Sequence, residues 1–579
     1  MANATDTAGV AGGGGELRRA IDWTGAFWVA SGVPALVLFS IGGIGGLAGT
    51  AAFLVWIISM VMGFIQSFTY AEISGLFPNK SGGASVYGAT AWLRYGKLLA
   101  PVSVWCNWLA WTPVLSLGCA IAAAYIINAV APLPVFGADS PEVKAWLADA
   151  ANATAITGKT VEESTQLAID ALVAGATPAL RSWELAGGSV FGLATWSINS
   201  YFVIGAVLML IVFAIQHRGI LGTASVQKWI GLLVIIPMLI VGIVPLLNGS
   251  VNYDNFVNPV PATGNWEIGG WTYFFAALFI AAWSTYAFET AICYTSEFRD
   301  PKRDTFKAIF YAGLLCLLIY SLVPFTFQGF LGAAGMVEPG IVNGDGVANA
   351  MARMVAGGEG LIERIFVMIM ILALMLAIMT AMAGSSRTLY QGSVDGWLPS
   401  YLTHVNSHGA PTRAMWTDLV FNLFVLSVAV ADATGFFTIL AISNCGYIVF
   451  NFLNLNAGWI HRVDSGHIER PYRAPTIILA LGTILAFVNA FLMGAGAKAW
   501  NPNINVLLWA LIIIAAIIPI FIYRHYIRDG GRFPDHMLTD LGLEGQNLGE
   551  RKAGIMPYVV ILAGIAVVLI ADRLFPLPG

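Results

Sequence analysis

Long apolar runs, each closed by a short polar stretch, dominate the chain. Such runs lie near 23–49, 51–77, 98–131, 196–216, 226–247, 271–296, 306–333, 361–391, 414–432, 435–461, 475–497, 504–524 and 555–574. Each is long enough, as a helix, to cross the ~30 Å hydrocarbon core of a bilayer. We number them segments 1–13. They predict an all-α polytopic membrane protein with about 13 transmembrane helices. Two polar stretches are longer than the rest. Residues 132–195 contain "SPEVKAWLADAANA" and "GKTVEESTQLAIDALVAGA", where Thr160 and Glu163 form a capping-box pattern ahead of an apolar run, so short helices are expected there. Residues 525–554 are polar and rich in glycine, and read as a linker to an appended thirteenth segment.

Composition agrees with that pattern. The 579 residues are 58% hydrophobic and only 10% charged, against about 45–50% and about 25% in soluble domains. A net charge of −4 gives no reason to expect a nucleic-acid partner. All five cysteines, Cys106, Cys119, Cys293, Cys316 and Cys445, fall in apolar runs, which argues against a disulfide framework or a metal cluster. The N-terminal "MANATDTAGVAGGGGELRR" lacks the apolar core of a removable signal, so segment 1 is expected to direct insertion. With residues 1–22 placed in the cytoplasm, 21 of the 28 Lys and Arg fall on the inside, as the positive-inside rule requires. An odd number of segments then puts the C-terminus outside, and makes 132–195 an extracytoplasmic loop and 525–554 a cytoplasmic linker.

Polar irregularities interrupt two segments. In "WVASGVPALVLF" of segment 1, Ser31, Gly32 and Pro34 fall together. Proline removes a backbone donor and biases Val33 away from helix, so a break is expected. At membrane depth a break is tolerated only where protein or a cavity satisfies the freed groups. Segment 6 carries "AAWSTYAFETA", with Glu289 close to mid-depth, where an ionised carboxylate costs ~2.5–3.5 kcal/mol on insertion scales. Interrupted segments at corresponding positions of two halves point to a transporter's midplane site. Segments 1 and 6 are five apart, the spacing of a five-plus-five inverted repeat.

Several stretches resemble one known family. These are "ASGVP" in segment 1, "YAEISGLFPNKSGGASVYGATAWLRYG" after segment 2, "RGILGTASVQKWIGLLVIIP" in segment 5, "WSTYAFETAICYTSEFRDPKRDTFKAI" in segment 6, "SSRTLYQGSVDGWLP" after segment 8 and "RPYRAP" after segment 10. In this order, over roughly residues 20–475, they resemble the amino acid, polyamine and organocation (APC) superfamily. The resemblance implies the LeuT-type fold of two inverted five-helix repeats, 23–247 and 271–461, followed by segments 11 and 12 at 475–524 and the thirteenth segment with its tail at 555–579. It also implies alternating access around a substrate held between segments 1, 3, 6, 8 and 10.

The resemblance assigns site residues one by one. Ala30, Ser31, Gly32 and Val33 match the family's Gly-Ser-Gly stretch, whose amides hold a substrate carboxylate, a role suited to a helix terminus. Trp283 matches the aromatic that closes over substrate, and Ser284 and Thr285 follow at the break. Ala287 stands where the family usually has glycine, which leaves the extent of unwinding open. Glu289 matches the family's sixth-helix glutamate and is expected to couple conformation to proton movement or to brace two helices. Asn107 in segment 3 and Ser443 and Asn444 in segment 10 are expected as polar lining, for which a helix-to-helix hydrogen bond serves equally. Tyr70 and Glu72 close segment 2 as a cytoplasmic gate, with Glu72 paired to an Arg or Lys, and Arg387 and Asp395 are similar in kind.

The family's alternative coupling device, a lysine midway along segment 5, falls at Val234, which cannot take a proton. Leu374 stands where arginine exchangers of the family place a tryptophan, so arginine is disfavoured as substrate. The sequence therefore predicts a secondary active transporter of amino acids in the cell (inner or plasma) membrane, proton-coupled or exchanging. A polyamine or organocation carrier, and a sensor that binds an amino acid without moving it, are the alternatives. The partners expected are a small-molecule substrate and the lipid bilayer; oligomeric state is not readable. No cofactor and no catalytic arrangement is expected, since no nucleophile with its base, phosphate loop or zinc spacing occurs.

Overall fold

The computed structural model describes residues 17–578 apart from 135, 150, 151, 153, 154, 156, 158, 191–193, 359 and 544. Most of the N-terminal segment 1–22, including the part read for a signal, lies outside the described residues. The chain is a helical membrane protein, with one small sheet among the described residues. Among the described residues ten helical stretches are long and apolar enough to cross a membrane, and Trp23–Phe39 and Ser200–Gln216 are shorter apolar helices. One of the ten, Ile41–Gly75, contains a turn at Gly49 and so joins the end of segment 1 to segment 2. Segment 9 forms the helix Thr412–Ala429, but Arg413, Asp418 and Asn422 dilute its apolar character and it is not among the ten. The count of thirteen is thus not reached by length and composition.

Local chemistry explains where the key helices start and stop. Asp22 caps the first helix, Trp23–Val29, accepting from the Thr24 and Gly25 amides, both at 3.0 Å. The helix ends at Ala30, and the chain rewinds as a tighter 3₁₀ helix, Val33–Phe39, with Pro34 in its first turn. That position suits proline, because the first turn needs no amide donor. Gly49 then turns the chain with φ 55°, and a side chain there would lie 2.7 Å from the Val260 carbonyl oxygen. Segment 6 stays α-helical over Ile268–Thr285, breaks at Tyr286, and continues as 3₁₀ over Ala287–Ile292. Ala287 therefore leaves this segment tightly wound rather than extended. Both expected breaks are present.

Two stretches depart from expectation. The loop 132–195 does hold short helices, Pro141–Ala148, Val161–Gly175 and Ala179–Ser182, the second with the Thr160/Glu163 capping box formed. It also holds an antiparallel hairpin, Glu184–Val190 with Ala194–Asn199, so segment 4 begins at Ser200 rather than 196. The β-branched and aromatic residues of "ATWSIN" favour a strand, and the Asn199 side chain accepts from the Phe202 amide to start the helix. The second departure is the linker 525–554, which is packed onto the body. The Arg94 guanidinium donates to the Leu548 carbonyl at 2.6 Å, and the Ala553 amide donates to Asp464 at 3.0 Å. Glycine-rich composition fixed neither contact, since both depend on partners more than eighty residues away.

Most basic residues gather at one end of the bundle, where buried ion pairs fasten its parts together. Lys80 lies 2.6 Å from Asp395 and 3.4 Å from Asp540 of the linker. Burial alone would raise the Asp395 carboxyl, but Lys80 and then His536 outweigh it and hold it below its usual range. Arg387 forms a two-pronged pair with Glu297, both buried.

Candidate functional site

The two broken segments meet at the centre of the bundle. Segment 7 runs past both, and its Tyr320 hydroxyl lies 2.7 Å from the Val33 carbonyl oxygen and 3.2 Å from that of Ser284. One side chain therefore reaches a carbonyl at each break. A second cluster serves the other side of the first break. Thr380 of segment 8 donates to the Val29 carbonyl at 2.7 Å and accepts from the Gly32 amide at 3.2 Å. Gln227 of segment 5 donates to the same Val29 carbonyl at 3.0 Å and to Thr380 at 3.1 Å.

These contacts show how the first break is built. The amides of Ala30, Ser31 and Val33 bond within their own turns, to Ala26, Trp28 and Ala30. Only the Gly32 amide reaches another segment. Its contact allows no side chain: a Cβ at Gly32 would sit 2.4 Å from the Leu376 carbonyl oxygen and 2.5 Å from Thr380 Oγ1. Ser31 turns its hydroxyl back to the Trp28 carbonyl at 2.6 Å. In this conformation the break directs carbonyl groups, more than amides, at its neighbours.

Around segment 6 the arrangement is aromatic. Trp283 is fully buried and donates to the Ala110 carbonyl and to Ser443 Oγ, each at 3.0 Å. Its ring stands 6.0 Å from Phe39 of segment 1 and 6.5 Å from Trp111 of segment 3. Thr285 shares a 2.7 Å hydrogen bond with Ser59 of segment 2, and Ser284 bonds back to Ala281 at 3.1 Å. Glu289, in the 3₁₀ turn, is buried. Its Oε1 accepts from Trp111 Nε1 at 3.1 Å, and its Oε2 has no hydrogen-bond partner among the described residues. The Ala84 amide and Asn107 face the same carboxylate. Asn107 also accepts from Thr388 of segment 8 at 2.9 Å.

The structure thus gathers Ala30, Ser31, Gly32, Val33, Trp283, Ser284, Thr285 and Ser443 around the two breaks, with Asn107 and Glu289 on the basic side of them. Three named residues lie apart. Asn444 donates to the Phe279 carbonyl at 2.5 Å, a helix-to-helix bond. Tyr70 accepts from Asn451 at 2.6 Å within a buried network that also holds Gln66, Asn489 and Tyr286. Glu72 lies at the basic end, between Arg462 at 2.5 Å and Arg470 at 3.2 Å.

Sequence reading missed Tyr320, Thr380, Gln227 and Trp111. A polar or aromatic side chain in an otherwise apolar segment was the available signal, above all for Gln227. It also missed Asp418 in "MWTDLVFN", a buried carboxylate that takes donors from Trp108 and Ser385, both at 2.5 Å, and Thr112 at 3.1 Å.

A multi-pass helical bundle in which two interrupted segments, each passing from α to 3₁₀ helix, face one another at the core suits a membrane permease. Residues 21–518 match the family described as "Amino acid permease", and the chain belongs to that family. It is 21% identical over 324 residues to the branched-chain amino acid permease BcaP of Lactococcus lactis subsp. cremoris (strain MG1363), a match covering 54% of this chain and 64% of that relative. The chain therefore spans somewhat under two thirds of that relative's length.

Proposed function

We propose that the protein is a secondary active transporter that carries an amino acid across the cell membrane by alternating access, proton-coupled or exchanging, with its N-terminus in the cytoplasm. The observation that carries this reading is the pair of facing breaks joined through Tyr320, in a chain of the amino acid permease family. The two halves, 23–247 and 271–461, are read as inverted repeats because each opens on its broken segment. Carbonyls at Val33 and Ser284 suit the ammonium of an amino acid once Tyr320 yields them, and the Gly32 amide suits its carboxylate once Thr380 does. Phe39, Trp283 and Trp111 offer apolar walls, which together with the name of the Lactococcus relative favours a neutral, aliphatic side chain. The basic end of the bundle supports a cytoplasmic assignment for that face.

Reconstitution into proteoliposomes tests the proposal. Labelled leucine, isoleucine or valine is expected to accumulate, driven by a pH gradient if transport is proton-coupled or by preloaded amino acid if it is exchange. Competition by neutral, cationic and anionic amino acids and by polyamines defines the class. Binding without accumulation would make the protein a sensor, and displacement by polyamines alone would make it an organocation carrier.

A further inference from the structure

A large groove lies on the outer, lipid-facing side of the bundle, beside the first break. It measures about 930 Å³ and is bounded by the first helix, Trp23–Val29, and by the helix Pro301–Met336. Trp23, Phe27 and Trp28 form one wall, and Tyr311, Leu318 and Leu322 the other. Tyr311 and Leu318 are 41% and 50% exposed, so the groove opens sideways to the surrounding bilayer. The Trp23 and Tyr311 rings meet at 4.8 Å and close its basic end.

The helix that forms the second wall continues its stripe into charge. Arg303, Lys307, Tyr311, Leu314, Leu318 and Leu322 follow one another three or four residues apart, and so share one helix face. The two basic residues therefore stand directly beyond the groove's basic end. Arg299 and Lys302 precede them in the chain, alongside three acids, Asp22, Asp300 and Asp304, whereas Arg18 and Arg19 reach away to the Ser407 carbonyl and Asn79. Two of those acids are already engaged: Asp22 caps the first helix, and Asp300 caps the helix Pro301–Met336. Lys302 is held by Glu469 at 2.8 Å and Arg299 donates to the Ala20 carbonyl at 3.1 Å. Arg303 and Lys307 make no close ion pair among the described residues, although the Asp304 carboxylate feels both at longer range. Basic clusters next to an apolar cleft between membrane helices are the chemistry that holds anionic lipid head groups.

We infer that this groove is a binding site for one anionic glycerophospholipid, its phosphate on Arg303 and Lys307 and an acyl chain along Trp23, Phe27 and Leu318. The lipid would touch the half of segment 1 that precedes the break. This inference does not depend on what the protein carries.

Native mass spectrometry of the full chain, released from detergent after incubation with equimolar dioleoyl phosphatidylglycerol and dioleoyl phosphatidylcholine, tests it. The wild type is expected to retain one phosphatidylglycerol with about thirtyfold preference, the scale that two basic side chains give near an anionic surface. Arg303→Gln with Lys307→Gln should bring that preference close to unity. Leu318→Trp, which fills the groove from its exposed side, should remove the retained lipid altogether, with thermal unfolding unchanged in both variants. Equal retention of the two lipids by the wild type would overturn the site, as would a preference that survives the double variant or a lipid count untouched by Leu318→Trp.

Discussion

Tyr320 and Val33 are bound to one another across the middle of the bundle, hydroxyl to carbonyl at 2.7 Å. A polar group buried in a dry interior is costly unless it is paired, and this buried hydroxyl is paired at one break within reach of the other. Tyr320→Phe keeps the ring, which stacks on Trp56 at 5.8 Å, and deletes only the donor. The variant is expected to lose about 1–3 kcal/mol, the cost of leaving a buried polar group unpaired. A lowered melting temperature together with reduced uptake supports the bridge; a melting curve that overlays the wild type removes it.

Gly32 admits no substitution by the same geometry. Even Gly32→Ala places a methyl 2.4 Å from the Leu376 carbonyl, so segment 1 must move away from segment 8. Binding of labelled amino acid is expected to vanish in Gly32→Ala and in Gly32→Val alike, and wild-type affinity in either would show that this contact is not kept in the binding conformation.

Trp283 combines a packing role with a polar one. Trp283→Ala removes a ring buried on all sides, and is expected to cost about 3–5 kcal/mol in stability as well as affinity. Trp283→Phe retains most of the volume but leaves the Ala110 carbonyl to Ser443 alone, which donates to it at 2.9 Å. Substrate affinity, measured by competition, should fall in Phe by less than in Ala; equal affinity in all three proteins would place the ring outside the site.

Glu289→Gln preserves size and an acceptor for Trp111 and removes the ability to exchange a proton. If the carboxylate couples transport to protons, uptake should lose its pH dependence while binding persists. An unchanged pH profile at wild-type rate leaves Glu289 as a brace between segments 3 and 6.

The Lys80–Asp395 pair carries a pH signature outside the membrane segments. Lys80, followed by His536, holds the Asp395 carboxyl low against the opposing effect of burial, so the pair contributes stability at every pH above the ordinary carboxylate range and loses it as pH falls through the lowered value, below about pH 4. Thermal stability in detergent should therefore be insensitive to this pair from neutral to mildly acidic pH. Asp395→Asn should cost about 3 kcal/mol at neutral pH, the lower end for a broken buried pair, because Asp540 stays beside Lys80. A melting temperature unaltered by Asp395→Asn would show that the pair is dispensable.

Sequence alone located both breaks, because the local causes are local residues: Ser31, Gly32 and Pro34 in one segment, and a glutamate among apolar neighbours in the other. The capping box at Thr160 and Glu163 was readable for the same reason. Partners were not readable. Tyr320 lies in "LIYSLVP" like any packing aromatic, and only the path of segment 7 past Val33 and Ser284 gives its hydroxyl a task. For Asn444 the sequence left lining and a helix-to-helix bond both open, and its contact with the Phe279 carbonyl is of the second kind, since helix rotation about its axis is set by packing and not by composition. The hairpin at 184–199 was hidden because its strands pair with each other across residues of mixed polarity and show no long alternation.

The strap formed by residues 525–554 alters the mechanics of the end it covers. Arg94 and Asp464, 3.7 Å apart, come from distant parts of the chain, and each also grips the strap, through Leu548 and Ala553. Two springs that stretch over the same distance add their stiffness. Any movement that parts Arg94 from Asp464 must extend both the ion pair and the strap, so the polar tail adds its stiffness to that of the Lys80–Asp395 and Arg387–Glu297 pairs at this end.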